Sequence, residues 1–160
     1  MQKIRVTKRN GCLEELDSEK INKVLNWACE TIQSVSPSQV ALGAHIQLYD
    51  KISTADIHKT LISSAANLIS EEFPNYQYVG GRLINFELRK QVYKQYQPIS
   101  LYDHITNLVK AGFYTSEFLH WYTEEEINEI NGFIDHDRDI KLTHAAMEQI
   151  TSKYLVQKVS

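Results

Sequence analysis

Five side chains in this 160-residue chain have the chemistry to hold an anion: Lys8, Arg9, Lys20, His58 and Lys90. Arginine and lysine are the usual partners of phosphate, and a guanidinium grips two phosphate oxygens at once. Lys8 and Arg9 stand just ahead of Asn10-Gly11, a dipeptide that marks a tight hairpin turn because both residues tolerate positive φ. Lys20 and His58 fall in the first turns of two expected helices. The helix dipole disfavours a cation there, and a bridging anion relieves the conflict. Val6, Ile21, Ile57 and Phe86 offer an apolar wall for a base, and each serves equally well as core packing. The sequence has neither a P-loop nor a G-x-G-x-x-G turn, so a phosphate site here needs another architecture.

No catalytic constellation accompanies these cations. The histidines at 45, 58, 104, 120, 136 and 144 form no H-x-x-x-H or H-E-x-x-H pattern, so no metal site is expected. The run His136-Asp137-Arg138-Asp139 reads as a solvated turn. Cys12 and Cys29 are seventeen residues apart, which is neither a disulfide framework nor a zinc pattern. They read as buried or half-buried thiols in a reducing compartment, and neither has an evident base beside it.

The elements that must position the cations are short and well punctuated. Residues 3 to 16 alternate with a period of two around the Asn-Gly turn and predict a hairpin. Asp17 caps a first helix with Ile21, Val24, Leu25, Ala28 and Ile32 on one face. Ser36-Pro37-Ser38-Gln39 predicts a second, with serine as cap, proline at the first position and Gln39 closing a capping box. Ser53-Thr54-Ala55-Asp56 starts a third, with Ile57, Leu61, Ala65 and Leu68 inward. Pro74-Asn75 precedes a fourth, from about Tyr76 to Tyr96. Its Gly80-Gly81 pair predicts either a close approach to a neighbouring helix or a frayed first turn. Pro98 ends this unit. Ser100 with Asp103, Thr123 with Glu126, and Thr143 open further helices; Gly112 is expected as a C-cap, and residues 154–157 as extended chain. The fold class is thus mainly α with a small N-terminal β-hairpin: residues 1–97 place a hairpin over four helices, and 98–160 form a helical extension.

A net charge of −3 and a pI near 6.1 argue against a general nucleic-acid binder. No apolar run approaches the roughly 20 residues of a membrane span, and no apolar leader is evident, so a soluble cytoplasmic protein is expected.

The order VTKRNG, LDSEKI, STADIH and PNYQYVGGRLINFELRK resembles the ATP-cone, a regulatory nucleotide-binding domain. QYQPISLYDHI, YTEEEI, FIDHDRDIKLTHAAMEQ and KYLVQ resemble the stretch after the cone in the large (alpha) subunit of aerobic, class Ia ribonucleoside-diphosphate reductases. The resemblance implies that Lys8 and Arg9 are the phosphate-binding pair and that His58 and Lys90 are further phosphate contacts. It implies that Glu14, Glu15, Leu16, Asp17, Ser18, Glu19 and Lys20 wrap the nucleoside, with Thr54 beside them and Val6, Ile21, Ile57 and Phe86 as the apolar pocket. Asp17 stands where close relatives often have asparagine, and Gly80-Gly81 where they usually have alanines.

By the same resemblance the ligand is an allosteric effector, ATP as activator or dATP as inhibitor, accompanied by Mg. The expected partners are the remainder of the large subunit and the small radical-generating (beta) subunit, with neither nucleic acid nor membrane. The radical and redox cysteines of such reductases lie beyond the stretch matched here, so no residue is assigned a catalytic role and no catalytic cofactor is expected on this chain. Two other readings remain: a degenerate cone that serves only as a structural or assembly module of a split large subunit, and a nucleotide-sensing repressor. The repressor needs a zinc ribbon with paired C-x-x-C motifs, which this sequence lacks.

Overall fold

Strands Arg5–Thr7 (β1) and Leu13–Glu15 (β2) pair antiparallel, with Val6 opposite Glu14. The coordinates are a computed structural model and describe residues 4–156; Lys3 at the hairpin start and Gln157 at the chain end lie outside them. The loop is not the two-residue turn expected of Asn-Gly. Gly11 N–H donates to the Lys8 carbonyl and Lys8 N–H to the Cys12 carbonyl, and only Gly11, at φ +84°, is left-handed. Arg9, Asn10 and Gly11 thus form a three-residue loop with a glycine bulge. The Asn10 carboxamide oxygen accepts from Cys12 N–H and holds the loop shut.

A third strand was not expected. Ile52–Ser53 (β3) lies parallel to β1, giving the sheet order β2-β1-β3. Asp50 fixes this edge: its carboxylate accepts from Arg5 N–H at 3.0 Å and from the Arg5 guanidinium at 3.1 and 2.6 Å. Thr7 hydroxyl donates to the Lys51 carbonyl.

Helices Ser18–Cys29 (α1), Pro37–His45 (α2), Thr54–Asn67 (α3) and Tyr76–Tyr93 (α4) come next along the chain. Asp17 caps α1 through the amides of Glu19 and Lys20, and Ser53 caps α3 through Asp56 N–H. The capping box expected at α2 does not form. The buried Tyr76 hydroxyl accepts from Ser36 N–H and donates to Gln39, so a side chain from α4 takes the place between cap and glutamine. Helix α4 stops three residues earlier than expected because Lys94 turns left-handed at φ 62°. The core beneath the sheet joins Val6 and Ile52 to Leu25, Ala28, Val40, Leu61, Val79 and Leu83.

The extension comprises Leu101–Lys110 (α5), Phe118–Trp121 (α6), Glu124–Asn131 (α7), a 3-10 turn over His136–Lys141, His144–Gln149 (α8) and a π-helical turn over Ile150–Tyr154. Tyr154, expected in extended chain, belongs to this last turn. Helices α5 and α7 pack together around the buried Ile105 and Ile127, so these two are covered within the chain, while Ile130 remains 52% exposed. Ser100 and Thr123 cap as expected, Glu126 completes the box at Thr123, and Gly112 follows α5 at φ +78°.

The extension lies against α4. The Gly80-Gly81 pair makes the close approach that the sequence foreshadowed, but toward residues 142–144 rather than another helix of the four. A Cβ on Gly81 would meet the backbone of Leu142 and Thr143; one on Gly80 would come 2.9 Å from the His144 ring. Arg82 donates to the carbonyls of Ala28, Glu30 and Ile140, and Arg89 to His136 O and Asp139, both at 3.0 Å.

Candidate functional site

A cleft of about 140 Å³ opens between the hairpin, the start of α1 and the start of α3. Val6, Ile21, Ile57 and Leu61 supply apolar surface to it; Lys8, Lys20 and His58 reach it with cationic or titratable groups; Glu14, Glu15, Leu16, Asp17 and Thr54 also line it. Each element has a local reason to bring its residues here. The β1–β2 register turns Val6 inward and leaves Glu14 opposite it at the rim. The Asp17 cap starts α1 so that Lys20 and Ile21 follow within one turn. The short β3 ends in the Ser53 cap, which delivers Thr54, Ile57 and His58 to the same opening.

The remaining predicted residues divide into two groups. Arg9, Phe86 and Lys90 do not line the cleft but gather at one side of it. Arg9 donates to the Lys90 carbonyl at 3.0 Å and to Glu87 at 2.8 Å. His58 stacks on Phe86 with ring centroids 5.1 Å apart, and the Lys90 ammonium lies 5.5 Å from the same ring. Phe86 is therefore the backing of His58 rather than a wall of the cleft. The Phe86 ring also meets Trp27 and Tyr96, with centroids 5.7 and 5.3 Å away. Ser18 and Glu19 are not at this cleft; Ser18 faces a second one between α1 and α2, and Glu19 contributes only its amide to the Asp17 cap. That second cleft, about 500 Å³, shares Ile21, Ile57 and Leu61 with the first, but no lysine or arginine lines it. We place the candidate site in the smaller cleft because Lys8, Lys20 and His58 meet there.

Electrostatics at the site are largely internal. Lys8 pairs with Glu14 at 3.1 Å, Lys20 with Asp17 at 3.4 Å and Arg9 with Glu87 at 2.8 Å. Burial pushes the Asp17 carboxyl up, but the bond to Lys20, the amides of Lys20 and Glu19, and the Lys20 charge together outweigh it and bring the group below its ordinary value. Asp17 is thus committed as helix cap and ion-pair partner. His58 is held below its ordinary value mainly by burial; Glu87 opposes this, and the charges of Arg9 and Lys90 reinforce it. His58 Nδ1 is buried and finds no hydrogen-bond partner among the described residues. His58 is the fifth residue of α3, past the first turn where the dipole argument placed it.

Sequence reasoning missed Glu87, Val24 and Leu61. Val24 and Leu61 stand one helical turn from Ile21 and Ile57, a spacing that marks them as neighbours on the same face. Glu87 lies three residues before Lys90 and four before Gln91, whose side chain also donates to it. Nothing in the sequence distinguishes it from a solvated helix charge.

Cys12 is exposed and Cys29 buried, both as free thiols; the exposure of Cys12 departs from the expectation and follows from its place after the bulge. Burial pushes the Cys29 thiol up to about 11, against the charge of Arg82. No helix among the described residues is long and apolar enough to cross a membrane, and no cluster of three or more His, Cys, Asp or Glu is arranged to hold a metal ion.

The ATP cone domain family matches residues 4–91. Over 98% of its length the chain is 50% identical to the ribonucleoside-diphosphate reductase 1 subunit alpha of Escherichia coli strain K12 and 48% identical to that of Salmonella typhimurium. It is 44% identical to the ribonucleoside-diphosphate reductase subunit alpha of Enterobacteria phage T4, again over 98% of its length. The chain spans about one fifth of the length of these relatives. With the family match covering the hairpin, α1 to α3 and most of α4, the chain belongs to the ATP-cone family and corresponds to the N-terminal region of ribonucleoside-diphosphate reductase alpha subunits.

Proposed function

We propose that the hairpin cleft is an allosteric site for ATP and dATP, and that its occupancy controls a ribonucleoside-diphosphate reductase making deoxyribonucleotides. The observation that carries this reading is the meeting of Lys8, Lys20 and His58 over an apolar floor of Val6, Ile21 and Ile57. Arg9 and Lys90 flank one side. Base and ribose fit the apolar part, with Thr54, Glu14 and Glu15 at the rim. The phosphates fit the cationic side, where Arg9 keeps donors beyond the two bonds it makes to α4. Magnesium would travel on the phosphates, as a counter-ion to them.

ATP and dATP differ by one hydroxyl, so contacts at the cleft offer modest discrimination. Two assembly states of unequal affinity amplify such a difference. The partners in those states are the rest of the alpha subunit and the beta subunit. Trp121, Ile130 and Phe133, respectively 66%, 52% and 82% exposed, offer apolar surface for the former.

Calorimetric titration of ATP and dATP into the chain tests the reading. Saturable binding is expected, weakened about ten- to a hundredfold by Lys8→Ala or Lys90→Ala, the usual worth of a charge-assisted contact. Absence of binding by either nucleotide overturns it.

One observation favours a second reading, a cone that only shapes the assembly: three of the site's cations are already paired with carboxylates. Co-purification with a separately produced remainder of an alpha subunit, unaffected by nucleotide, would support it.

A further inference from the structure

We infer that Glu87 sets the affinity of the hairpin cleft for phosphate, by holding a buried negative charge against Arg9 where the phosphates would sit. The inference rests on the nucleotide reading and concerns a residue that reading does not use.

Glu87 is 8% exposed, one of four buried polar or charged residues among the described residues. Buried carboxylates are normally fully bonded, because an unpaired charge away from water is costly. Here only one oxygen is satisfied. Oε1 accepts from Arg9 at 2.8 Å and from Gln91 at 3.1 Å, while Oε2 is buried with no hydrogen-bond partner among the described residues. His58 Nδ1, likewise buried and without a partner, belongs to the same side of the cleft, and Glu87 is the charge that favours its protonated form. Two buried polar atoms, Glu87 Oε2 and His58 Nδ1, thus lack hydrogen-bond partners on the side of the cleft where the Arg9 guanidinium is expected to meet phosphate.

The carboxylate has two separable effects on Arg9. Its geometry helps dock the guanidinium on α4, together with the Lys90 carbonyl. Its charge neutralises Arg9 and repels any phosphate brought beside it; the carboxylate is buried, while the Arg9 side chain, 44% exposed, stays within reach of water that softens the effect. Glutamine at 87 keeps an oxygen for Arg9 and removes the charge. Glu87→Gln therefore isolates the second effect, and repulsion of this kind grows with the number of phosphates.

The test measures binding of ATP, ADP and AMP to the wild-type chain, Glu87→Gln, Arg9→Gln and the double variant, at fixed magnesium and ionic strength. Thermal melting of each protein confirms folding. Glu87→Gln is expected to tighten ATP about tenfold or more, ADP less and AMP least. The gain is expected to shrink in the Arg9→Gln background, a coupling that a merely structural effect at 87 would not produce. Binding by the wild type with unchanged or weaker binding by Glu87→Gln overturns the inference and leaves the nucleotide site standing. Failure of both proteins to bind any of the three overturns the nucleotide reading and this inference together.

Discussion

His58 lies nearly parallel to Phe86, the rings 19° apart in plane and 5.1 Å between centroids. The phenyl face shields the imidazole from water, and desolvation is the main reason it sits below its ordinary value near 6.5. In the free chain the imidazole is therefore neutral at pH 7. A bound phosphate would favour the charged form and raise the value, so binding takes up a proton. By linkage, ATP affinity should fall as pH rises from about 6 to 8, and His58→Asn should flatten that dependence. Titrations across that range check it; a wild-type profile already flat would count against proton uptake at His58.

Gly81→Ala should destabilise the chain. Helix propensity alone favours alanine by about 1 kcal/mol. Against this, the new methyl meets the backbone of Leu142 and Thr143, which cannot swing aside as a side chain end can. Forced overpacking of this kind costs about 1–3 kcal/mol, so a net loss of melting temperature is expected. Gly80→Ala meets the His144 side chain first, which can shift more readily than backbone, and should cost less. Paired thermal melts of the two variants decide the order.

Tyr76→Phe removes one hydroxyl that serves both Ser36 N–H and Gln39. Ser36 N–H and the exposed Gln39 lose their bond in a part-buried setting, and a loss of about 1 kcal/mol is expected from urea unfolding. The same variant in a Gln39→Leu background should lose less, because one of the stranded partners is then gone.

Acid should weaken the sheet edge at Asp50. The bond from the Arg5 guanidinium is the main cause that brings this carboxyl down to about 2, from about 3.9 in an unfolded chain. A depressed carboxyl contributes stability that is complete above the unfolded value and lost as pH falls through the folded one. The melting difference between wild type and Asp50→Asn should therefore be constant above about pH 5 and close between about 4 and 2.

What the sequence made legible was local. Asp17, Ser53, Ser100 and Thr123 announce their helices because a cap bonds amides two or three residues away. The hairpin was legible from alternation and Asn-Gly, yet the loop geometry was not, since Asn-Gly suits both a two-residue turn and a glycine bulge. Strand β3 was hidden: two residues long, it exists because Arg5, 45 positions away, bonds Asp50. Within the candidate site, family resemblance grouped the cations, but only coordinates showed that Phe86 backs His58 and that Glu87 is buried. Burial of a helix charge depends on what arrives from elsewhere in the chain, here Arg9 from the hairpin.

Helix α4 has two employments, and they fall on either side of a boundary. Phe86, Glu87 and Lys90 serve the hairpin side, while Gly80, Gly81, Arg82 and Arg89 meet residues 136 to 144, outside the stretch that matches the ATP-cone family. The stretch that matches the family and the stretch that packs together are then different pieces. Transplanting residues 4–91 onto another protein would carry a helix whose back is carved for a segment left behind. A graft that keeps the cone intact needs to take the 3-10 turn and α8 with it.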